Sequence, residues 1–468
     1  MASIAIPEEL QKMNRFFEEA GFEAYLVGGA VRDSLRGDFA SDWDLATNAR
    51  PEDVMKLFKK VIPTGIDHGT VTVHFMGRHI EVTTFRTETD YRDSRHPSSV
   101  QFNASLGEDL SRRDFTINAI AANLKTGRII DPFNGQADIK NRCIQTVGNP
   151  IERFTEDALR PIRAIRFSSQ LSYEISPETY DAIKKVKNTI PNISIERFRD
   201  EFQRMLMTAK PSIALKLLED TGILALFIPE LAVCRNVSQR DDRGYHVFDV
   251  LDHLYHALDA SAEEAFSLSV RLAALFHDIG KPDVRKESLK SLDPKRPAKL
   301  STIVSFHNHE KASVEKTRTL LQRLRFPNKL IQEVCHLIQH HMISYESAWS
   351  DAAVRRFVVR VGVAPLERLF ELHLCDSWAT KGEKPGELYF SVIREFRERI
   401  EKVLDENTAL SLQDLAINGR DLLQEGYKGK IIGEILNDLF SIVTENPSVN
   451  KKALLLQRAK ELYKKEPF

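Results

Sequence analysis

The chain is poor in the features that settle a protein's class quickly. Its 468 residues hold four cysteines, Cys143, Cys234, Cys335 and Cys375, far apart and without a CxxC. Neither a disulfide framework nor a zinc knuckle is indicated, and reduced packing thiols are expected. Neither sign of charge dominates: 66 Lys+Arg stand against 67 Asp+Glu, a formal net charge of -1. A nucleic-acid surface, if there is one, must therefore be a local patch and not a global field. The start, MASIAIPEELQKMN, lacks a basic segment followed by an apolar one, and no uninterrupted apolar run approaches the ~20 residues of a membrane helix. A cytoplasmic setting with no membrane partner is the expectation. No repeat of fixed period is visible.

Length implies roughly three or four domains. In the first part AYLVGG is a short apolar run closed by glycines, and VTVHF and HIEVTTF alternate like strands. An α+β domain with a mixed sheet and helices is expected over 1–148, ending near Gly148 to Pro150. From Ile151 onward helical periodicity takes over, as in SPETYDAIKKVKNTI and IERFRDEFQRMLM. This gives a helical neck over 149–240, a mostly α body over 241–404 and a small last domain over 405–468, after a boundary in DENTALSLQD. Lys281 to Leu300 reads as a solvated basic loop between helices. The polar, proline-bearing stretch Arg86 to Phe102 reads as a mobile loop near a site.

The first chemical constellation is LVGGAVRDSLRGDFASDWDLAT, Leu26 to Thr47. Gly28 and Gly29, between a strand and a helix, let backbone N–H groups approach phosphate oxygens, with the helix N-terminus and Arg32 adding positive potential. The pattern is neither GxxxxGK nor GxGxxG. Asp42 and Asp44 flank Trp43, and in extended backbone both carboxylates share one side. Glu81 on HIEVTTFR can join them, and three oxygen ligands with open positions suit Mg2+ bridging to nucleotide phosphates. Alone, such a DxD is as readily a turn or a helix cap. In RFTEDALRPIRAIRF, Asp157 and Arg160 lie three apart on what reads as one helix face. A surface ion pair there is worth roughly 0.2–0.5 kcal/mol.

These segments occur in an order that resembles a known family. GGAVRDSLRGDFASDWDLAT is similar to the head motif of the class II tRNA nucleotidyltransferases and bacterial poly(A) polymerases, within the polymerase beta-like superfamily. RRDFTINA, Arg112 to Ala119, resembles the family's ribose-contacting motif, and EDALR its base-reading motif. The resemblance implies that 1–148 is a nucleotidyltransferase head in which Asp42 and Asp44, with Glu81, hold the catalytic metals. Arg113, Asp114 and Asn118 then contact sugar and phosphates, unless Arg113 and Asp114 only bridge each other. Asp157 is an acceptor and Arg160 a forked donor, so together they match an exocyclic NH2 beside a ring nitrogen, the edge shown by cytosine and adenine but not by uracil or guanine. Arg163 and Arg166 either reach triphosphate or tRNA backbone or sit on a solvated face.

A second set lies in the α-rich half: DVLDHLYHALDA, LAALFHDIGKP, HNHEKAS and LCDSWA. His253, His277, Asp278 and Asp376 resemble the HD metal-dependent phosphohydrolases, and His309 with one of His340 or His341 can serve a second ion. Imidazole and carboxylate from separate helices suit a divalent metal, whether Mg, Mn or Ni. An inactive HD fold kept for tRNA binding is the alternative, and His246 and His256 read as surface or core residues. In the tail, NGRDLL with Gly419, Gly426 and Gly429 resembles the last domain of HD-bearing bacterial CCA-adding enzymes, which holds the tRNA elbow. Lys428, Lys430, Lys451, Lys452, Arg458 and Lys460 then offer a basic surface, or only a solvated helical face.

The expected function is template-independent addition of C, C and A to tRNA 3′ ends from CTP and ATP, with release of pyrophosphate. Its nearest rival is the same chemistry in a poly(A) polymerase or in a partial enzyme adding only CC or only A. A different class is an HD phosphohydrolase whose head only binds. Oligomeric state is left open.

Overall fold

The structure, a computed structural model, describes residues 3–39, 42–91, 97–102, 104–244, 246–291, 300–406 and 409–463. The chain forms two compact units, one of residues 1–232 with 323–325, the other of 233–322 with 326–468. Among the described residues no helix is long and apolar enough to cross a membrane, and all four cysteines are free.

The first unit is built on a seven-stranded mixed sheet. Its strands are β1 (Ala24–Val27), β2 (Asp44–Thr47), β3 (Val61–Gly65), β4 (Thr70–Phe75) and β5 (Arg78–Thr84), joined, after the outlying hairpin of β6 (Thr87–Tyr91) and β7 (Pro97–Gln101), by β8 (Ala121–Asn123) and β9 (Ile129–Ile130). The order is β3-β4-β5-β2-β1-β8-β9. Only β2 and β5 run parallel, and their register sets Asp44 beside Glu81. Apolar residues of the sheet, such as Leu26, Leu45, Val71 and Val82, are buried. The helix Gly29–Arg36 leaves β1 through Gly28, whose φ of 69° suits a residue without a Cβ. The stretch from Arg86 to Phe102, expected as a loop, thus contributes β6 and β7; residues 92–96 between them lie outside the described residues.

The mixed sheet followed by helices matches the expected fold class. The helix Pro150–Glu156 starts on an Asn149 cap that accepts from the backbone of Ile151 and Glu152. It ends before Asp157, and a new helix, Arg160–Leu171, begins three residues later. Asp157 and Arg160 therefore straddle a helix break instead of sharing one helix face. Pro161, in the first turn of the second helix, is the physical reason: a proline suits a helix start and breaks a helix interior.

The second unit is almost wholly helical. Its main helices are Val250–Glu263, Leu268–Phe276, His309–Arg323, Asn328–His340, Asp351–Val361, Leu366–Lys381 and Glu387–Asp405. Where Lys281 to Leu300 was expected as a loop, Lys286–Ser291 pairs antiparallel with Leu300–Ser305. The cause is alternation: in LSTIVS, Val304 turns inward and is buried. Residues 292–299 lie outside the described residues. The last helices, Ile431–Glu445 and Lys452–Leu462, close a separate small core around Leu422, Tyr427, Ile435, Leu439 and Leu455.

Candidate active site

One cleft of about 470 Å³ in the first unit gathers residues widely separated in sequence. Gly28, Gly29, Arg32, Asp44, Glu81, Arg113, Asp114 and Asn118 line it from the head, and Asp157, Arg160, Arg163 and Arg166 from the helices that follow. Asp42, two residues before Asp44, is exposed and does not line the cleft, though its charge is felt at Asp44. Asp44 remains open to solvent, yet the cleft walls strip water from its carboxyl. That desolvation and then the Glu81 charge push it up to about 6, against Arg113, with Asp42 adding to the rise. Asp44 and Glu81 thus offer two carboxylates side by side to a divalent cation, while Asp42 stands outside the cleft and completes no three-ligand group with them among the described residues.

Behind the carboxylates runs a chain of polar contacts. Arg32, buried, donates to Asn118 Oδ1 at 2.8 Å, and Asn118 donates to Asp114 Oδ1 at 3.2 Å. Asp114 Oδ2 accepts from Arg163 at 2.8 Å. Arg113 pairs instead with the fully buried Asp109 at 3.2 Å, which also takes Arg112 at 2.7 Å. Arg113 and Asp114 thus each have another partner, and no bridge joins them. Burial works against ionisation at both Asp109 and Asp114, but the neighbouring guanidiniums outweigh it and hold both carboxyls below the usual range. Arg166 is buried against Glu201 at 2.5 Å, so it lies on no solvated face.

Asp157 and Arg160 are held from several sides. Asp157 Oδ2 accepts from Arg197 at 2.8 Å and its Oδ1 from the Leu159 backbone at 3.0 Å. Arg160 donates to Glu156 at 2.5 Å and to the carbonyls of Arg153 and Arg112. Each carboxylate oxygen keeps a second lone pair, and the guanidinium keeps its Nε–H and one Nη2–H. Asp109, Glu156, Arg197 and Glu201 are the residues sequence reasoning passed over. Glu156 opens the EDALR motif, and Arg197 and Glu201 are charges on the amphipathic helix Ile195–Leu206, so these three carried a signal.

The second unit brings its own cluster together from five helices: His277, His309 and His341 stand at helix ends, His253 in a first turn and Asp376 inside Leu366–Lys381. His253, His277 and Asp376 form one group able to hold a metal ion, and Asp278, His309 and His341 another. Asp278 joins them: its Oδ2 lies 3.3 Å from His277 Nε2 and 3.4 Å from His253 Nε2, its Oδ1 3.2 Å from His309 Nε2. Three rings are oriented from behind, since the Nδ1 atoms of His277, His309 and His341 face the carbonyls of Ala274, Phe306 and Ile338 at 3.0, 2.8 and 2.7 Å. Such backing is what metal-ligating imidazoles use to present Nε2. Burial alone lowers His277, but Asp278 and Asp376 outweigh it and push the imidazole up to about 10. His253 and His341 are instead pushed down by burial, and four imidazoles set around two carboxylates are a donor set that fits a divalent ion. His340 instead packs on His336, with ring centroids 4.6 Å apart, and His256 stacks on Phe248. His246 borders the cavity of about 430 Å³ in front of the cluster without entering either group.

In the tail, Lys452 pairs with Asp421, Arg458 with Glu461 and Lys460 with Glu425. Half of the expected basic surface is therefore neutralised internally.

Comparison with known proteins places family domains along the same stretches of chain. The poly(A) polymerase head domain matches residues 24–145, the probable RNA and SrmB-binding site of polymerase A matches 172–234, and the HD domain matches 243–381. Fold and motifs thus define a nucleotidyltransferase with a polymerase-type head and an HD domain. The CCA-adding enzyme of Ligilactobacillus salivarius is 33% identical over 468 residues, covering 98% of each chain. That of Enterococcus faecalis is 32% identical over 98% of each. Among solved structures, the CCA-adding enzyme of Bacillus stearothermophilus in complex with CTP is similar with a TM-score of 0.70 and 30% identity, over 97% of this chain and 98% of that one. The chain belongs to the family of CCA-adding enzymes.

Proposed function

We propose that this enzyme adds C, C and A to the 3′ end of tRNA, taking CTP and ATP in turn and releasing pyrophosphate. The observation that carries the reading is the single cleft in which Asp44 and Glu81 meet Arg113, Asp114, Asp157 and Arg160. A cytoplasmic place of work accompanies the substrate. We further read the chain in four parts: head 1–148, neck 149–240, HD body 241–404 and tail 405–468. The compact tail core supports the last boundary.

The transfer joins a 3′ hydroxyl oxygen to the α-phosphorus as the bond to the pyrophosphate oxygen breaks. Asp42, Asp44 and Glu81 would hold Mg2+, which supplies charge neutralisation on the triphosphate and activation of the hydroxyl. The backbone N–H groups at Gly28 and Gly29, with Arg32 and Arg113, bind phosphate oxygens. Asp114 and Asn118 take the ribose, where donor and acceptor together suit a vicinal diol. Asp157 accepts the exocyclic NH2 of C or A while Arg160 donates to the ring nitrogen, and the contacts from Arg197, Glu156 and Arg112 keep both in place without reorganisation. Arg163 and Arg166 add positive charge along the same wall.

In the HD body, His253, His277, Asp278, His309, His341 and Asp376 would hold divalent ions for phosphohydrolysis. The carboxylate of Asp278 between the two groups supports this reading over a fold kept only for binding. Of Mg, Mn and Ni, the nitrogen-rich donor set favours Ni.

The test is incubation of the purified protein with tRNA transcripts ending at the discriminator base, at C or at CC, with each nucleotide alone. C should enter the first two and A only the third. Addition of A to all three would favour the poly(A) reading.

A further inference from the structure

One helical turn beyond the nucleotide cleft, the first unit has a second groove, of about 600 Å³, bordered by Arg36, Lys140, Arg142, Leu171 and Tyr173. Two helices, Gly29–Arg36 and Arg160–Leu171, contribute to the lining of both. On the helix Gly29–Arg36, residues 29, 32 and 36 share one face, and the first two line the cleft while Arg36 lines the groove. The helix Arg160–Leu171 repeats the arrangement: Phe167 and Gln170 border the cleft, Leu171 the groove. An arginine over an aromatic ring marks each stage, Arg32 on Phe167 at 5.3 Å and Arg36 on Tyr173 at 5.4 Å.

The charge of the groove has little internal use. Arg36 has Asp38 at 3.3 Å, but Lys140 and Arg142 are exposed and form no ion pair with described residues. Arg142 caps the helix Gly135–Asn141 in the left-handed region, φ 54° and ψ 48°, where glycine or asparagine would be at ease. Seven residues of helix separate Gly29 from Arg36, a rise of roughly 10 Å, comparable with one to two nucleotide steps of an extended strand.

We propose that this groove binds phosphates of the RNA backbone, those of the strand whose 3′ end lies in the cleft. Lys140 and Arg142 supply the contacts, with Arg36 between groove and cleft. The inference rests on the reading that a polynucleotide is the acceptor. A free nucleotide has no phosphates to spare for a site beyond its own triphosphate pocket.

The experiment compares the parent with Lys140→Glu/Arg142→Glu and with Arg142→Gly, measuring KM for a tRNA transcript lacking CCA, KM for CTP, melting temperature and the dependence of KM on salt. The double variant should raise KM for tRNA about tenfold or more and lower the slope of log KM against log salt by about 2, one for each lost phosphate contact. KM for CTP should not move. Arg142→Gly fits the left-handed position, so it should fold at least as well as the parent and still weaken tRNA use. Three results overturn the proposal. One is an unchanged KM for tRNA in both variants with a lowered melting temperature in the charge-reversed one, which would make the cations neutralisers of helix C-termini. The second is an unchanged KM for tRNA with no change in melting temperature. The third is an equal rise in KM for CTP, which would make the groove a nucleotide or pyrophosphate site. A parent that fails to extend tRNA at all would instead overturn the acceptor assignment, so the two failures are distinguishable.

Discussion

Asp157 illustrates how much one side chain is asked to do. It is anchored by Arg197, and on the proposed reading Asp157→Ala removes the acceptor for the exocyclic NH2 that C and A share. A mispaired polar edge costs roughly 1–3 kcal/mol, so discrimination between CTP and UTP, measured as the ratio of kcat/KM on tRNA lacking CCA, should fall by about one to two orders of magnitude. An ordinary ion pair would leave that ratio unchanged. In the HD cluster, His341→Ala should cost one of two bound ions by metal analysis of the purified protein, whereas His340→Ala should cost none, because only His341 stands with His309 and Asp278. Loss of the same ion in both variants would contradict the assignment. The doublet shows where sequence reading runs out: adjacent histidines look alike until the end of the helix Asn328–His340 decides which ring turns inward.

At the scale of elements, the turn that carries Asp114 and Asn118 depends on a neighbour. The helix Gly135–Asn141 starts against Thr116, and a Cβ on Gly135 would lie 2.2 Å from the Thr116 carbonyl oxygen. Backbone must move to accept it, so Gly135→Ala should lower nucleotide transfer by at least tenfold and destabilise the first unit, as read by kcat/KM and calorimetry. A variant with the activity and melting of the parent would contradict this packing. Much of the element plan was legible. Alternation gave β4 and β5, and the Ser-Pro-Glu start gave the helix Pro177–Val186, capped by Ser176 as its sequence suggests. The break before Arg160 was missed because Phe154, Ile162 and Ile165 keep a helical period across it, while the signal against it was the single Pro161. The strand pair Lys286–Ser291 and Leu300–Ser305 was missed because its charged residues mask a short alternation. Asp109, buried under two arginines, gave no sign at all, since nothing in a sequence marks which acid of a polar helix turns inward.

For the whole molecule, the two sites belong to separate units, each with its own core. His277→Ala with Asp278→Ala should leave CCA addition largely unchanged while abolishing metal-dependent phosphohydrolase activity, measured on one preparation. Equal loss of both in a folded protein would mean a shared centre. The most direct measurement of the central claim is sequencing of 3′ ends after tRNA lacking CCA meets all four nucleotides, with the parent and Asp44→Ala side by side. Parent ends should read CCA and stop, and Asp44→Ala should leave ends unextended while still binding tRNA, because affinity is expected from spread phosphate contacts and not from a carboxylate proposed to hold metal. Long A tracts, incorporated U or G, or an Asp44→Ala enzyme as active as the parent would contradict the claim.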